Sequence, residues 1–174
     1  MIDPAEIEAY CRACGARPGP GVNNLWPHDP VRAFAMARYL TEVERFDRLV
    51  AVAPEGLVYA WFFERFFGRA VLSVHVDYPP TRCASEDDLA VLRGARVLLV
   101  EDDVIGGATL RLVVAALRAH APASVSLYLG HSRFVQRLEN VPAEIARTFI
   151  AEDVLDPNAY LADERALRRA LANP

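Results

Sequence analysis

Apolar positions alternate between two periods along the chain. Short apolar runs at Arg48–Ala53, Ala70–Val76, Ala95–Val100, Ser124–Leu129 and Ala146–Ala151 read as strands buried on both faces. Between them the spacing turns helical. Over Val31–Phe46 the apolar set is Val31, Phe34, Ala35, Tyr39, Val43 and Phe46, and Asp29-Pro30 suits a helix start. Gly56–Phe67 reads as an aromatic buried helix stopped by Gly68. Thr109–His120 carries Leu110, Val113, Val114 and Leu117 on one face. Strands and helices in alternation predict an α/β fold whose parallel sheet is covered on both faces. Such sheets bind ligands at the carboxyl ends of their strands. That places Pro54-Glu55-Gly56, Glu101–Thr109 and Gly130–Arg133 along one edge. Residues 15–30, rich in Gly, Pro and Asn, read as an irregular loop. The polar stretch 77–94 is a connection long enough to carry a functional loop.

Composition narrows the function. A chain of 174 residues, 53% hydrophobic and 24% charged, fits one globular domain. A net charge of −4 lacks the basic footprint of a nucleic-acid binder. All 19 basic residues are Arg, which excludes a Lys nucleophile, a Schiff base and a phosphate-loop Lys. The longest clearly apolar stretch, Gly56–Phe63, is too short to span a membrane. The acidic N-terminal sequence lacks a signal-peptide charge pattern, so a cytoplasmic location is expected. Cys11, Cys14 and Cys83 form no disulfide framework. The single Cys11-Arg-Ala-Cys14 step would make a zinc site only if Cys83 and His28 joined it, and reduced thiols are the simpler reading.

The chemistry concentrates in Val97–Thr109. Glu101, Asp102 and Asp103 end a buried strand, and Gly106 and Gly107 then lead through Ala108 and Thr109 into a helix. Glycines let a backbone approach a ligand, and free N–H groups at a helix start attract phosphate. The acids suit sugar hydroxyls or a magnesium ion riding on phosphates. Three readings compete. One is purely structural, with acids at a strand end and an ordinary cap. A second is a receiver domain, since Arg96–Asp103 resembles its first strand and acidic pocket. In that case the strand should open the domain and a Lys should be present, and neither holds.

The third reading is a family resemblance. The segment resembles the phosphoribosyl pyrophosphate (PRPP) motif of the type I phosphoribosyltransferases: an apolar strand, two acids, two apolar residues, then a small-residue loop ending in Thr. Glu101 and Asp102 fall on the acidic pair that contacts ribose hydroxyls, and Ile105–Thr109 on the loop around the 5′-phosphate. Leu49–Gly56 resembles the first core strand and pyrophosphate loop, and Leu57–Gly68 the helix that follows. Residues 78–94 stand where the family keeps a flexible catalytic loop.

The resemblance implies a Rossmann-like core over about residues 31–151, with a small hood from residues 1–30 and 152–174. It implies a magnesium-dependent enzyme that takes PRPP and a nucleobase-like acceptor, and a homodimer. Glu101 and Asp102 would act on the ribose and hold the metal. Asp103, Ile105, Gly106, Gly107, Ala108 and Thr109 would bind PRPP, with Ala53, Pro54, Glu55 and Gly56 at pyrophosphate. Arg82 or Arg93 would close over the leaving group, in place of the missing Lys. His131 and Arg133, after the fourth strand, and Trp26 and Tyr160, in the hood, are candidate base contacts.

Three departures from the pattern matter. Ile105 and Gly106 replace a polar pair, Glu55 puts an acid beside pyrophosphate, and no Lys is available. They motivate a second hypothesis, a PRPP- or nucleotide-binding regulator without transfer activity. A phosphate-linked hydrolase using the acids on a metal is a third. His75, within a strand, reads as structural. The aromatic set Tyr59, Trp61, Phe62, Phe63, Phe66 and Phe67 is too broad for one helix face and serves either the core or a dimer interface. Ala162–Leu171 reads as an amphipathic surface helix.

Overall fold

A computed structural model describes residues 30–155. Helix α1 (Pro30–Tyr39) starts on its proline, where the missing N–H leaves no bond unmade. It passes into a π-helical turn, Leu40–Glu44, which Arg45 ends at φ 54°. The expected helix to Phe46 is therefore two pieces. Strand β1 (Arg48–Ala53) follows, then α2 (Glu55–Phe67), which Gly68 ends in the left-handed conformation. The remaining elements are β2 (Val71–Val76), β3 (Cys83–Ala84), β4 (Arg96–Glu101), α3 (Ala108–Arg118), β5 (Ser124–Leu129), β6 (Thr148–Ile150) and the short α4 (Ala151–Val154).

The sheet order is β3-β2-β1-β4-β5-β6. Every neighbouring pair is parallel except β2 with β3. The five strands expected from apolar runs are all present. The sixth, β3, is two residues inside the polar connection and too short to leave a pattern. A 3-10 turn, Leu89–Leu92, occupies the same connection.

Strand alternation divides the core. Leu49, Ala51, Leu98, Val100 and Tyr128 face α1 and α2. Val50, Val52, Val97, Leu99 and Leu127 face α3. Both faces are covered, so the strands carry unbroken apolar runs. The aromatic face of α2 divides in the same way. Tyr59, Phe62 and Phe63 are buried, whereas Phe66 and Phe67 meet Phe34 of α1 edge-on and stacked, at ring separations of 5.3 and 5.7 Å. Trp61 sits edge-on to Phe66. Among the described residues, no helix is long and apolar enough to cross a membrane.

The order of connection reverses between β1 and β4, each extending the sheet away from the other. A crevice opens at the carboxyl ends of such a pair. Here those ends are Ala53 and Glu101.

Candidate functional site

The acids are placed by the sheet itself. Glu101 is the last residue of β4, and the ladder with β5 continues beyond both strands. Gly130 N–H donates to the Glu101 carbonyl at 2.9 Å and His131 N–H to that of Asp102 at 2.8 Å. This brings the His131 ring over the acidic turn. Its Nδ1 lies 3.6 Å from Asp103 Oδ2 and its Nε2 4.0 Å from Asp102 Oδ2. The turn is tightened by Asp102 N–H donating to Glu101 Oε1 at 3.0 Å and Asp103 N–H to Asp102 Oδ1 at 2.6 Å.

Glu55 approaches from α2. Gly56 permits this, because a Cβ there would lie 2.3 Å from the Val100 carbonyl oxygen. The first turn of α2 thus packs directly on the end of β4. Burial, and then the charges of Asp102 and Asp103, push the Glu55 carboxyl above its usual range. Glu101 is 5% exposed, and burial followed by the Asp102 charge raises it well above the usual range. His131 is held more basic than usual by Asp103, against the opposing effect of its own burial, with the charges of Asp102 and Asp103 adding to the rise.

The loop from Val104 to Gly107 is tied down from residues well separated in sequence. Gln136 is buried; its Oε1 accepts from Val104 N–H at 2.9 Å, and its Nε2 donates to the carbonyls of Asp102 and His131, each at 3.3 Å. Asn140 Nδ2 donates to the Ile105 carbonyl at 2.5 Å, and Arg111 Nη2 to that of Gly106 at 3.2 Å. Gly107 has φ 69°, and a Cβ there would lie 2.3 Å from the Asn140 carbonyl oxygen. It is the N-cap of α3. The leading N–H groups at Ala108, Thr109 and Leu110 have no acceptor within the helix and form its positive end. The arrangement offers hydroxyl- or metal-seeking carboxylates beside an anion-seeking backbone.

The structure brings together Ala53–Gly56, Glu101–Thr109 and His131, as the edge argument expects. Asp102, Asp103 and His131 each offer a ligand atom, all within 4.8 Å of one another. Glu101, expected as a metal ligand, is not in this converging set, because its buried carboxylate is turned onto Asp102 N–H. Ile105 is 55% exposed and packs into no core.

Arg82 lies on the correct edge, exposed in the hairpin after β2, where its carbonyl accepts from Asp77 N–H at 3.1 Å. Arg93 does not. The connection from β2 runs back along the sheet before β4 begins, and Gly94, next to Arg93, bonds to Ala121 ahead of β5. Arg93 therefore stands at the amino edge, away from the acids. Arg133 is exposed in the turn after β5 and ion-paired with Asp153. His75 is an exposed position of β2 and Cys83 a half-buried one of β3. Trp26 and Tyr160 lie outside the described residues, as do Cys11, Cys14, His28, Ala162–Leu171 and nearly all of the hood. Gln136 and Asn140 escaped the sequence reading because nothing in their neighbourhood is periodic, and their partners at Asp102, Val104 and Ile105 lie 32 to 35 residues away.

A purine phosphoribosyltransferase from Pyrococcus horikoshii superposes with a TM-score of 0.52 at 20% identity, covering 68% of this chain and 78% of that one. The chain carries the type I phosphoribosyltransferase fold. A hypoxanthine-guanine phosphoribosyltransferase from Bacillus anthracis superposes more loosely, with a TM-score of 0.48 at 17% identity, over 68% of this chain and 74% of that one. Among curated proteins, a ribose-phosphate pyrophosphokinase from Hyphomonas neptunium is 24% identical over 127 residues, covering 70% of this chain. The chain spans 41% of that relative's length. No protein-family model matches the sequence.

Proposed function

We propose that this chain is a magnesium-dependent phosphoribosyltransferase that takes PRPP and a nucleobase-like acceptor. One observation carries the reading. At the switch point of a phosphoribosyltransferase fold, β4 ends in Glu101-Asp102-Asp103 and runs into a Gly-Gly loop fastened at the start of α3. Asp102 would accept the ribose hydroxyls, with Glu101 beneath it fixing its backbone. Gly106, Gly107, Ala108 and Thr109 would hold the 5′-phosphate on backbone N–H groups. Ala53–Gly56 would meet pyrophosphate, and Arg82 would close over it.

Burial and the neighbouring acids make Glu55 less readily ionised than an ordinary Glu, which lessens its conflict with pyrophosphate. The half-buried carboxylates of Asp102 and Asp103 fit a magnesium ion, which would supply neutralising charge on the diphosphate. The protein's part is to position donor and acceptor and to balance charge, which needs no Lys. Recognition of the acceptor would fall to the chain ends and to His131.

Arg93 on the far edge favours a second reading, a PRPP- or nucleotide-binding regulator that transfers nothing. Calorimetry with PRPP separates the possibilities. Binding is expected only with magnesium and is weakened by about 10-fold or more in Asp102→Asn. Pyrophosphate release with one base of a panel then supports transfer. Binding without release from any base supports the regulator. No binding at millimolar PRPP removes both.

A further inference from the structure

Within the acidic turn lies a donor set that a magnesium site does not require. Asp102 and Asp103 offer oxygens and His131 a ring nitrogen, within 4.8 Å of one another. Metal–ligand bonds of about 2.0–2.2 Å put neighbouring ligands of one ion about 3 Å apart. The 3.6 Å approach to Asp103 is made by Nδ1 and the 4.0 Å approach to Asp102 by Nε2, so one ring nitrogen serves both carboxylates only once side-chain rotation closes the 4.8 Å spread.

The imidazole is also held in place. His131 N–H and carbonyl are both bonded, to the Asp102 carbonyl and from Gln136 Nε2. The ring rests edge-on against Tyr59 at 6.0 Å. Gly130 makes room for that tyrosine, because a Cβ at residue 130 would stand 2.4 Å from the Tyr59 ring.

We propose that Asp102, Asp103 and His131 form a resident site for a first-row transition dication, selected over magnesium by the imidazole nitrogen. Magnesium is a hard cation that prefers oxygen, whereas Mn2+, Co2+ and Zn2+ accept mixed nitrogen and carboxylate ligands. The site needs no phosphoribosyl ligand, since all three donors belong to the protein.

The test is an electron paramagnetic resonance titration of the full chain with Mn2+ alone, PRPP being absent throughout. Expected are one bound Mn2+ per chain and displacement only by magnesium in about 10-fold or greater excess. Pulsed measurements on the bound ion should show the 14N modulation of a directly coordinated imidazole. His131→Gln should abolish that modulation and weaken Mn2+ about 10-fold or more while changing magnesium affinity about 2-fold at most, so the magnesium excess needed for displacement falls by about 5-fold or more. Asp103→Asn should weaken both ions. No Mn2+ bound at millimolar concentration, a bound ion without 14N modulation, or unchanged Mn2+ affinity in His131→Gln would each overturn the site. The 14N signal is read on the wild-type chain, so a variant that folds poorly does not decide the result. Failure here leaves the PRPP titration unaffected, and loss of PRPP binding leaves this titration unaffected.

Discussion

The two glycines of the β4–α3 loop face different demands, and a methyl group tells them apart. Gly107 sits at positive φ with no room for a Cβ against the Asn140 carbonyl. Gly107→Ala should lose about 1–3 kcal/mol of stability, read by urea unfolding. At Gly106 a Cβ meets nothing within 4 Å. Gly106→Ala should leave stability within about 0.5 kcal/mol. It should still weaken PRPP if the loop wraps the 5′-phosphate, because the backbone can no longer close on the ligand. Unchanged PRPP affinity in a stable Gly106→Ala would remove the loop from the phosphate site. The sequence already marked both glycines, since adjacent Gly residues between a strand and a helix signal close approach. It did not distinguish them, because the difference comes from Asn140, a contact across the fold.

At the scale of elements, legibility followed periodicity. Strands β1, β4 and β5 and helices α2 and α3 were readable because each buries a whole face and so repeats, whereas β2 was readable from its apolar run although Val74 alone is fully buried. β3 was not, having two residues. Arg93 was expected at the ligand because the resemblance set all of residues 78–94 at the catalytic loop, whereas a parallel β4 that begins at Arg96 and ends in the acids places it at the amino edge. Gln136, like β3, left no pattern to read. One buried amide joins the β4–α3 loop to the segment after β5. Gln136→Leu keeps the volume but leaves Val104 N–H buried without its acceptor. An orphaned buried donor costs about 1–3 kcal/mol, so denaturant unfolding should show a loss of that size. Because the same side chain holds the carbonyls of Asp102 and His131, Mn2+ affinity should fall with it. A variant as stable as wild type would mean that the loop is held by Asn140 and Arg111 alone.

Across the whole molecule the two edges of the sheet respond to acid in opposite senses. At the amino edge Asp47 bridges β1 to β4. Its carboxylate accepts from Arg96 Nε at 3.0 Å, Nη2 at 2.9 Å and backbone N–H at 2.8 Å. The guanidinium bonds first, and then the backbone bond, hold its pKa far below the ordinary 3.8. At the carboxyl edge Glu55 and Glu101 are raised above the ordinary 4.5 by burial and by the neighbouring acids. Raised carboxyls make the folded state take up protons before the unfolded state does, so stability climbs as pH falls from neutral toward 4.5. Asp47 acts in reverse. Its stabilisation is complete above 3.8 and drains away as pH falls below that toward its lowered folded value. The melting temperature in chelator-containing buffer should therefore rise as pH falls from neutral toward 4.5 and decline again below 3.8. Glu101→Gln should raise the melting temperature at pH 7 and flatten the climb toward acid, because it removes a buried charge at the crowded edge. Asp47→Asn should lower it at neutral pH, with the deficit shrinking in strong acid. A melting temperature that falls steadily from pH 7 to pH 5, with no gain from Glu101→Gln, would mean that the crowded carboxylates are ionised without penalty. The candidate site would then be an ordinary polar surface, without the stored repulsion that a cation relieves.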